Sequence, residues 1–175
     1  MSLIILFGLP GTGKTFVGKI FKKYFDYYFY EGDNDLTEEM KEAIKVQKVF
    51  TDKMRDVFFK RLIKKIQNLL ALSEVEGKSK YKKLVVAQTF IKEKYRLTLL
   101  NKIPKTKFIL IETKKEIREK RLMGRTDYPL DLEYARIMER NFDKAKVSHN
   151  IITNNIEGIK EIKKEVNLLL RNIRE

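Results

Sequence analysis

The chain opens on Leu3–Phe7 (Leu-Ile-Ile-Leu-Phe), an unbroken apolar run. Such a run predicts a strand buried on both faces of a parallel sheet. Residues 8–13 follow with three glycines and a proline, and then Phe16, Val17, Ile20, Phe21 and Tyr24 recur at helical spacing. The opening therefore reads strand, glycine loop, helix.

The same alternation runs to the far end. Tyr27–Tyr30 is a second, aromatic strand that ends in the acidic turn Glu31-Gly32-Asp33-Asn34. Helical patterning covers about Leu36 to Lys48. Thr51 or Asp52 is placed to cap a long helix whose apolar positions are Met54, Val57, Phe58, Leu62, Ile66, Leu69 and Leu70. A polar stretch, 73–83, reads as surface loop. Leu84–Ala87 is a third strand with a helix behind it to about Leu100, and Pro104 ends that unit. Phe108–Ile111 is a fourth strand, followed by a short helix over Lys115–Met123, a loop over 124–129 and a helix to about Phe142. Asn150–Thr153 is a fifth strand. The last helix carries Ile159, Ile162, Val166, Leu169 and Ile173 on one stripe. Strands alternating with helices predict an α/β fold of three layers, α/β/α, around a parallel sheet. No repeat or linker divides residues 1–175, so a single domain is expected.

Composition narrows the chemistry. There is no Cys, which removes disulfides, thiolate metal sites and a Cys nucleophile, and the single His149 rules out a multi-His site. No stretch is apolar enough to span a membrane, and the chain starts on a strand with no basic region or cleavage site; a cytoplasmic protein with no membrane partner is expected. Lys and Arg total 38 against 24 acidic residues, a net charge of +14. Of the basic residues 28 are Lys and 10 are Arg, scattered through nearly every helix and loop. That distribution reads as a solvated surface rather than a nucleic-acid footprint.

One motif stands out. Gly8-Leu9-Pro10-Gly11-Thr12-Gly13-Lys14-Thr15 matches the phosphate-loop pattern at every fixed position, between a buried strand and a helix. Its glycines permit backbone conformations closed to other residues, and successive N–H groups can then form an anion nest at the positive end of the helix. Lys14 supplies a charge able to reach the β- and γ-phosphates, and the Thr15 hydroxyl is a hard ligand suited to Mg²⁺. ATP and Mg²⁺ are the expected cofactors. The third strand ends Ala87-Gln88-Thr89, without the Asp that switch GTPases and motor ATPases place there. The second strand instead ends at Asp33, placed to accept a proton from an attacking hydroxyl and to help hold the metal. Arg121 and Arg125 lie four apart at a helix end, on one face, ahead of a loop (approximately 124–132) that could close as a lid.

These residues resemble the small phosphate-loop metabolite kinases, most of all the gluconate kinases and next the shikimate kinases. The likeness covers the whole chain. Glu31-Gly32-Asp33 is similar to the gluconate-kinase EGD, Thr51–Arg55 to their TDxxR, Lys92–Arg96 to their KxxYR, and Arg121–Arg125 to their RLxxR. The resemblance implies five strands in the order 2-3-1-4-5 and transfer of phosphate from ATP to a sugar acid. It implies Lys14, Asp33 and Arg125 as catalytic residues, and Gly8, Gly11, Thr12, Gly13, Lys14, Thr15, Arg121 and Asn154 around ATP. Thr15 and Asp33 would hold the metal. Asp33, Arg55, Lys92 and Arg96 would approach the acceptor, between helices spanning approximately 34–72. The chain departs from the family where a His-Pro and an Asn usually line the sugar pocket, and has Leu36, Thr37 and Met40 instead. That exchange predicts weaker affinity for a polyol, because its hydroxyls would lack partners. The leading reading is a kinase for a small hydroxyl-bearing metabolite, acting as monomer or homodimer. A kinase for a nucleoside, nucleotide or nucleic-acid end is a second reading, and a nucleotide-dependent RNA-associated module a third.

Overall fold

A computed structural model describes residues 2–73, 81–124, 131–156 and 158–174. Five strands, β1 (Ser2–Phe7), β2 (Tyr28–Glu31), β3 (Lys83–Ala87), β4 (Lys107–Glu112) and β5 (His149–Thr153), form one sheet in the order β2-β3-β1-β4-β5. All four pairings are parallel. β1 is central, with Ile5 opposite Val86 on one side and Phe108 on the other. Its residues alternate between the two faces, as the two-residue period of a strand requires. Leu3, Ile5 and Phe7 join one core layer and Ile4 and Leu6 the other.

Helices cover both faces. α1 (Lys14–Phe25) and α7 (Ile159–Arg174) lie on the side of Ile4 and Leu6, where Val17, Phe21, Ile162 and Val166 meet the strands. On the other side, α2 (Glu38–Lys45), α3 (Asp52–Leu72) and α4 (Glu93–Lys102) bury Met40, Phe58, Leu62, Ile66 and Leu99 against Leu3, Ile5 and Phe7. α5 (Lys115–Met123) and α6 (Leu132–Arg140) follow β4. Thr51 is the N-cap of α3, its hydroxyl accepting from Met54 N at 3.2 Å.

Some side chains depart from the periodic reading. Val57 is 53 % exposed, because the buried stripe of α3 runs instead through Arg55, Phe59 and Ile63 beside Met54, Phe58 and Leu62. Tyr24 and Ile159 also face outward. Among the described residues no helix is long and apolar enough to cross a membrane. His149 is structural, its Nδ1 2.7 Å from Val147 O and its ring edge-on to Phe7.

A parallel sheet brings the carboxyl ends of all its strands to one edge, and a ligand crevice forms there. Along this edge lie the glycine loop after β1, Gly32-Asp33 after β2, Gln88 after β3, Thr113 after β4 and Asn154 after β5.

Candidate active site

The glycine loop has the backbone its sequence requires. Gly8, Gly11 and Gly13 have φ of 140, 82 and 89°, a region that side-chain-bearing residues seldom enter. Gly13 is also the N-cap of α1, so the first free N–H groups of that helix open at the loop. A methyl group on Gly13 would lie 2.2 Å from Asn154 Nδ2. Lys14 Nζ donates to Gly8 O and Leu9 O, both at 2.9 Å, which curls the ammonium across the loop. The Thr12 hydroxyl donates to Leu9 O at 3.0 Å and shapes the same turn.

The loop is held from behind. Asn154 is 2 % exposed and its Nδ2 donates to Thr12 O at 2.8 Å. Thr113 Oγ1 lies 3.1 Å from the same carbonyl, and Arg121 Nη1 donates to Asn154 O at 3.1 Å. Asn154 thus anchors the loop rather than facing the crevice. Arg121 reaches the crevice from α5. Arg125 and most of the expected lid, residues 125–130, lie outside the described residues.

In front of the loop is a cavity of about 480 Å³. Gly11, Gly13, Lys14, Thr15, Arg121, Asp33 and Arg55 are among the residues that line it. Asp33 is oriented by the residue that follows β3, where switch GTPases and motor ATPases place an Asp. Gln88 is buried, and its Nε2 donates to Asp33 Oδ1 at 2.9 Å. The Gln88 amide is oriented in turn by Thr89 N–H, which donates to Oε1 at 2.6 Å. The signal was its position at the end of β3, beside the Asp33 turn. Tyr134 of α6 is a second lining residue with no motif to announce it. Burial pushes its phenol up to about 12; the Arg55 charge opposes this rise and the Asp33 charge adds to it. All three side chains therefore share one electrostatic neighbourhood.

Two expected acceptor residues are turned elsewhere. Arg96 is fully buried and outside the cavity lining. Its Nε donates to Glu93 Oε2, Nη1 to Phe90 O at 2.7 Å and Nη2 to Asp143 O at 2.7 Å. Its guanidinium sits 5.3 Å from the Phe7 ring and 5.4 Å from that of Phe142. With its donors directed at protein acceptors, Arg96 is a structural tie between the β3–α4 connection and the segment after α6. Lys92 pairs with Asp143 at 3.1 Å and is also outside the lining. Burial disfavours the Asp143 carboxylate, but the Glu93 N–H and Lys92 outweigh it and hold the group below its ordinary value.

The donor set suits a magnesium–nucleotide. Thr15, Glu31 and Asp33 bring hard oxygens to the cavity. Among the described residues no cluster of three His, Cys, Asp or Glu side chains could hold a metal unaided. A cation here would therefore depend on phosphate oxygens and water, with Thr15 and Asp33 completing its shell.

No family model matches the sequence, and no curated protein matches it. Solved structures do match. A gluconokinase from Sinorhizobium meliloti is 19 % identical with a TM-score of 0.77, over 99 % of this chain and 95 % of that one. A sugar kinase from Janibacter is 15 % identical with a TM-score of 0.78, over 98 % and 95 %. An APS kinase from Mycobacterium tuberculosis, solved with AMPPNP and APS, is 20 % identical with a TM-score of 0.64, over 97 % of each chain. The chain has the fold of the phosphate-loop metabolite kinases. The expected strand order, 2-3-1-4-5, is the observed one.

Proposed function

We propose that the protein is an ATP-dependent phosphotransferase that moves the γ-phosphate of Mg·ATP to a hydroxyl of a small metabolite. The observation that carries this reading is that the glycine loop and Asp33 line one and the same cavity. Nucleotide phosphates would occupy the loop, where Lys14 exchanges its two carbonyl partners for phosphate oxygens. Asp33, oriented by Gln88, accepts the proton of the acceptor hydroxyl. The hydroxyl oxygen forms a bond to the γ-phosphorus, the bond from phosphorus to the β–γ bridging oxygen breaks, and ADP leaves with that electron pair. Bound Mg²⁺ would neutralise charge on the phosphates. Arg121 would stabilise charge from the α5 side, and Arg125, outside the described residues, is proposed to share that role.

The fold shared with a gluconokinase, a sugar kinase and an APS kinase supports the reaction class. The test is Lys14→Ala, assayed by acceptor-dependent ADP release. Loss of about 10²- to 10³-fold in kcat is expected when a preorganised charge-stabilising group is removed from the transferring phosphate. Wild-type turnover in that variant would reject the reading.

A further inference from the structure

Phe59 lines the catalytic cavity and also a second one, of about 460 Å³, that opens between α3 and α4. The floor of this second cavity is apolar. Phe59, Ile63 and Tyr95 are buried there, and the Phe59 and Tyr95 rings stack at 4.0 Å. The exposed residues around the floor are mostly basic. Lys60 and Lys64 lie four apart on α3, and Lys94 and Lys102 lie eight apart on α4, so each helix carries its lysines on one face. Among the described residues Asp56 is the sole acid in the lining, and it is already engaged: its Oδ1 accepts from Lys94 Nζ at 2.7 Å and from the Tyr95 hydroxyl at 2.8 Å. Lys60, Lys64 and Lys102 have no carboxylate partner among the described residues. On α2, by contrast, Lys41 and Lys45 each pair with a glutamate three residues earlier.

Like charges four apart destabilise a helix, and an anion seated between the two helices relieves that repulsion. The apolar floor lowers the local dielectric and strengthens the attraction. Among the described residues the lining holds four lysines and no arginine. Ammonium groups act as point charges and can surround a tetrahedral phosphate, whereas a planar carboxylate is best matched by the fork of a guanidinium. The volume is that of a small-molecule site. We propose that this groove binds a small anion carrying several phosphate charges, held between Lys60 and Lys64 of α3 and Lys102 of α4. The proposal does not rest on the kinase reading. Phe59 is the wall that the groove shares with the catalytic cavity.

The probe is inorganic tripolyphosphate, titrated by calorimetry into protein held at saturating Mg·AMPPNP so that the glycine loop is occupied. Binding is expected to weaken about tenfold in the triple variant Lys60→Gln/Lys64→Gln/Lys102→Gln, which loses three exposed charge contacts. A control, Lys22→Gln/Lys160→Gln/Lys164→Gln, removes the same charge from exposed positions of α1 and α7 on the other side of the sheet. It should change the affinity by less than about twofold, because salt screens charges at that distance. Magnetic resonance on the unmodified chain gives a readout that needs no variant: backbone amides of 56–67 and 94–102 should shift as tripolyphosphate is added. Equal weakening in the two triple variants would show a diffuse attraction to the net charge and overturn the proposal. So would amide shifts confined to other segments, or citrate binding as tightly as tripolyphosphate. Tighter binding of a short single-stranded RNA to the same two helices would also overturn it, by making the groove a nucleic-acid surface.

Discussion

Arg96 offers the sharpest test of how motif residues divide between structure and chemistry. Arg96→Met keeps the length of the stem and removes the guanidinium. Three acceptors lose their donor at once: Glu93 Oε2, Phe90 O and Asp143 O. Glu93 keeps two backbone donors, Lys146 N and Val147 N, on its other oxygen, so its charge is not wholly stranded. Breaking a buried ion pair by deleting one partner costs about 3–5 kcal/mol, and the surviving partners place this case near 3 kcal/mol. For a domain of this size that lowers Tm by roughly 6–12 °C. Phe90 adds to the effect, since its φ of 45° is held partly by the bond its carbonyl accepts from Arg96. Urea unfolding followed by circular dichroism measures the loss, with an unchanged slope showing that the denatured state is the same. Nucleotide affinity of the folded variant should stay within about twofold, because Arg96 does not line the cavity in front of the glycine loop. A variant with wild-type stability whose acceptor KM rises tenfold would refute this account and return Arg96 to the binding site.

Gln88→Leu should lower kcat/KM by about 10- to 100-fold with little change in ATP affinity, the value of one hydrogen bond to a charged acceptor, read from ADP release at saturating nucleotide. Gly13→Ala should destroy nucleotide binding, since the added carbon meets Asn154 Nδ2 at 2.2 Å in a backbone region with φ of 89°; a fluorescent ATP analogue bound with wild-type affinity would contradict the geometry. Tyr134 carries a pH signature: its phenol is raised from 10.0 to about 12 in the folded state, so its contribution is fully present below pH 10 and is lost as pH rises through 12. Tyr134→Phe should flatten the fall in unfolding free energy across that window by about 2 kcal/mol at pH 12, read from urea unfolding, with phenolate absorbance confirming the late titration.

Much of the fold was legible because burial on both faces leaves a plain mark. Leu3–Phe7 could be nothing other than a central strand once a glycine loop and an amphipathic helix followed it. Thr51 announced the start of α3 through its capping chemistry. The site was legible only in part. Arg55 and Arg96 both sit in the first turn and a half of a helix, in motifs of similar form, yet one lines the cavity and the other is enclosed by Phe7 and Phe142. Which way a helix is rotated about its axis depends on how its whole stripe packs, and a five-residue motif does not carry that. Val57 failed for the same reason, since a stripe shifted by one position exchanges an apolar face for an exposed one. Gln88 was read for what it was not, because its value comes from Asp33, 55 residues earlier, and only the pairing of β2 with β3 brings the two together.

Lys14, curled over Gly8 O and Leu9 O, has a thermodynamic consequence for the first step of the reaction. A lysine side chain free in solvent gives up about 2 kcal/mol of rotamer entropy when it is fixed on a ligand. Here most of that loss is incurred as the chain folds, before any phosphate arrives. Capture of the nucleotide becomes an exchange of acceptors on an ammonium already in place. The arriving phosphate then competes with two carbonyl oxygens rather than with bulk water alone, and the free loop keeps its shape between turnovers.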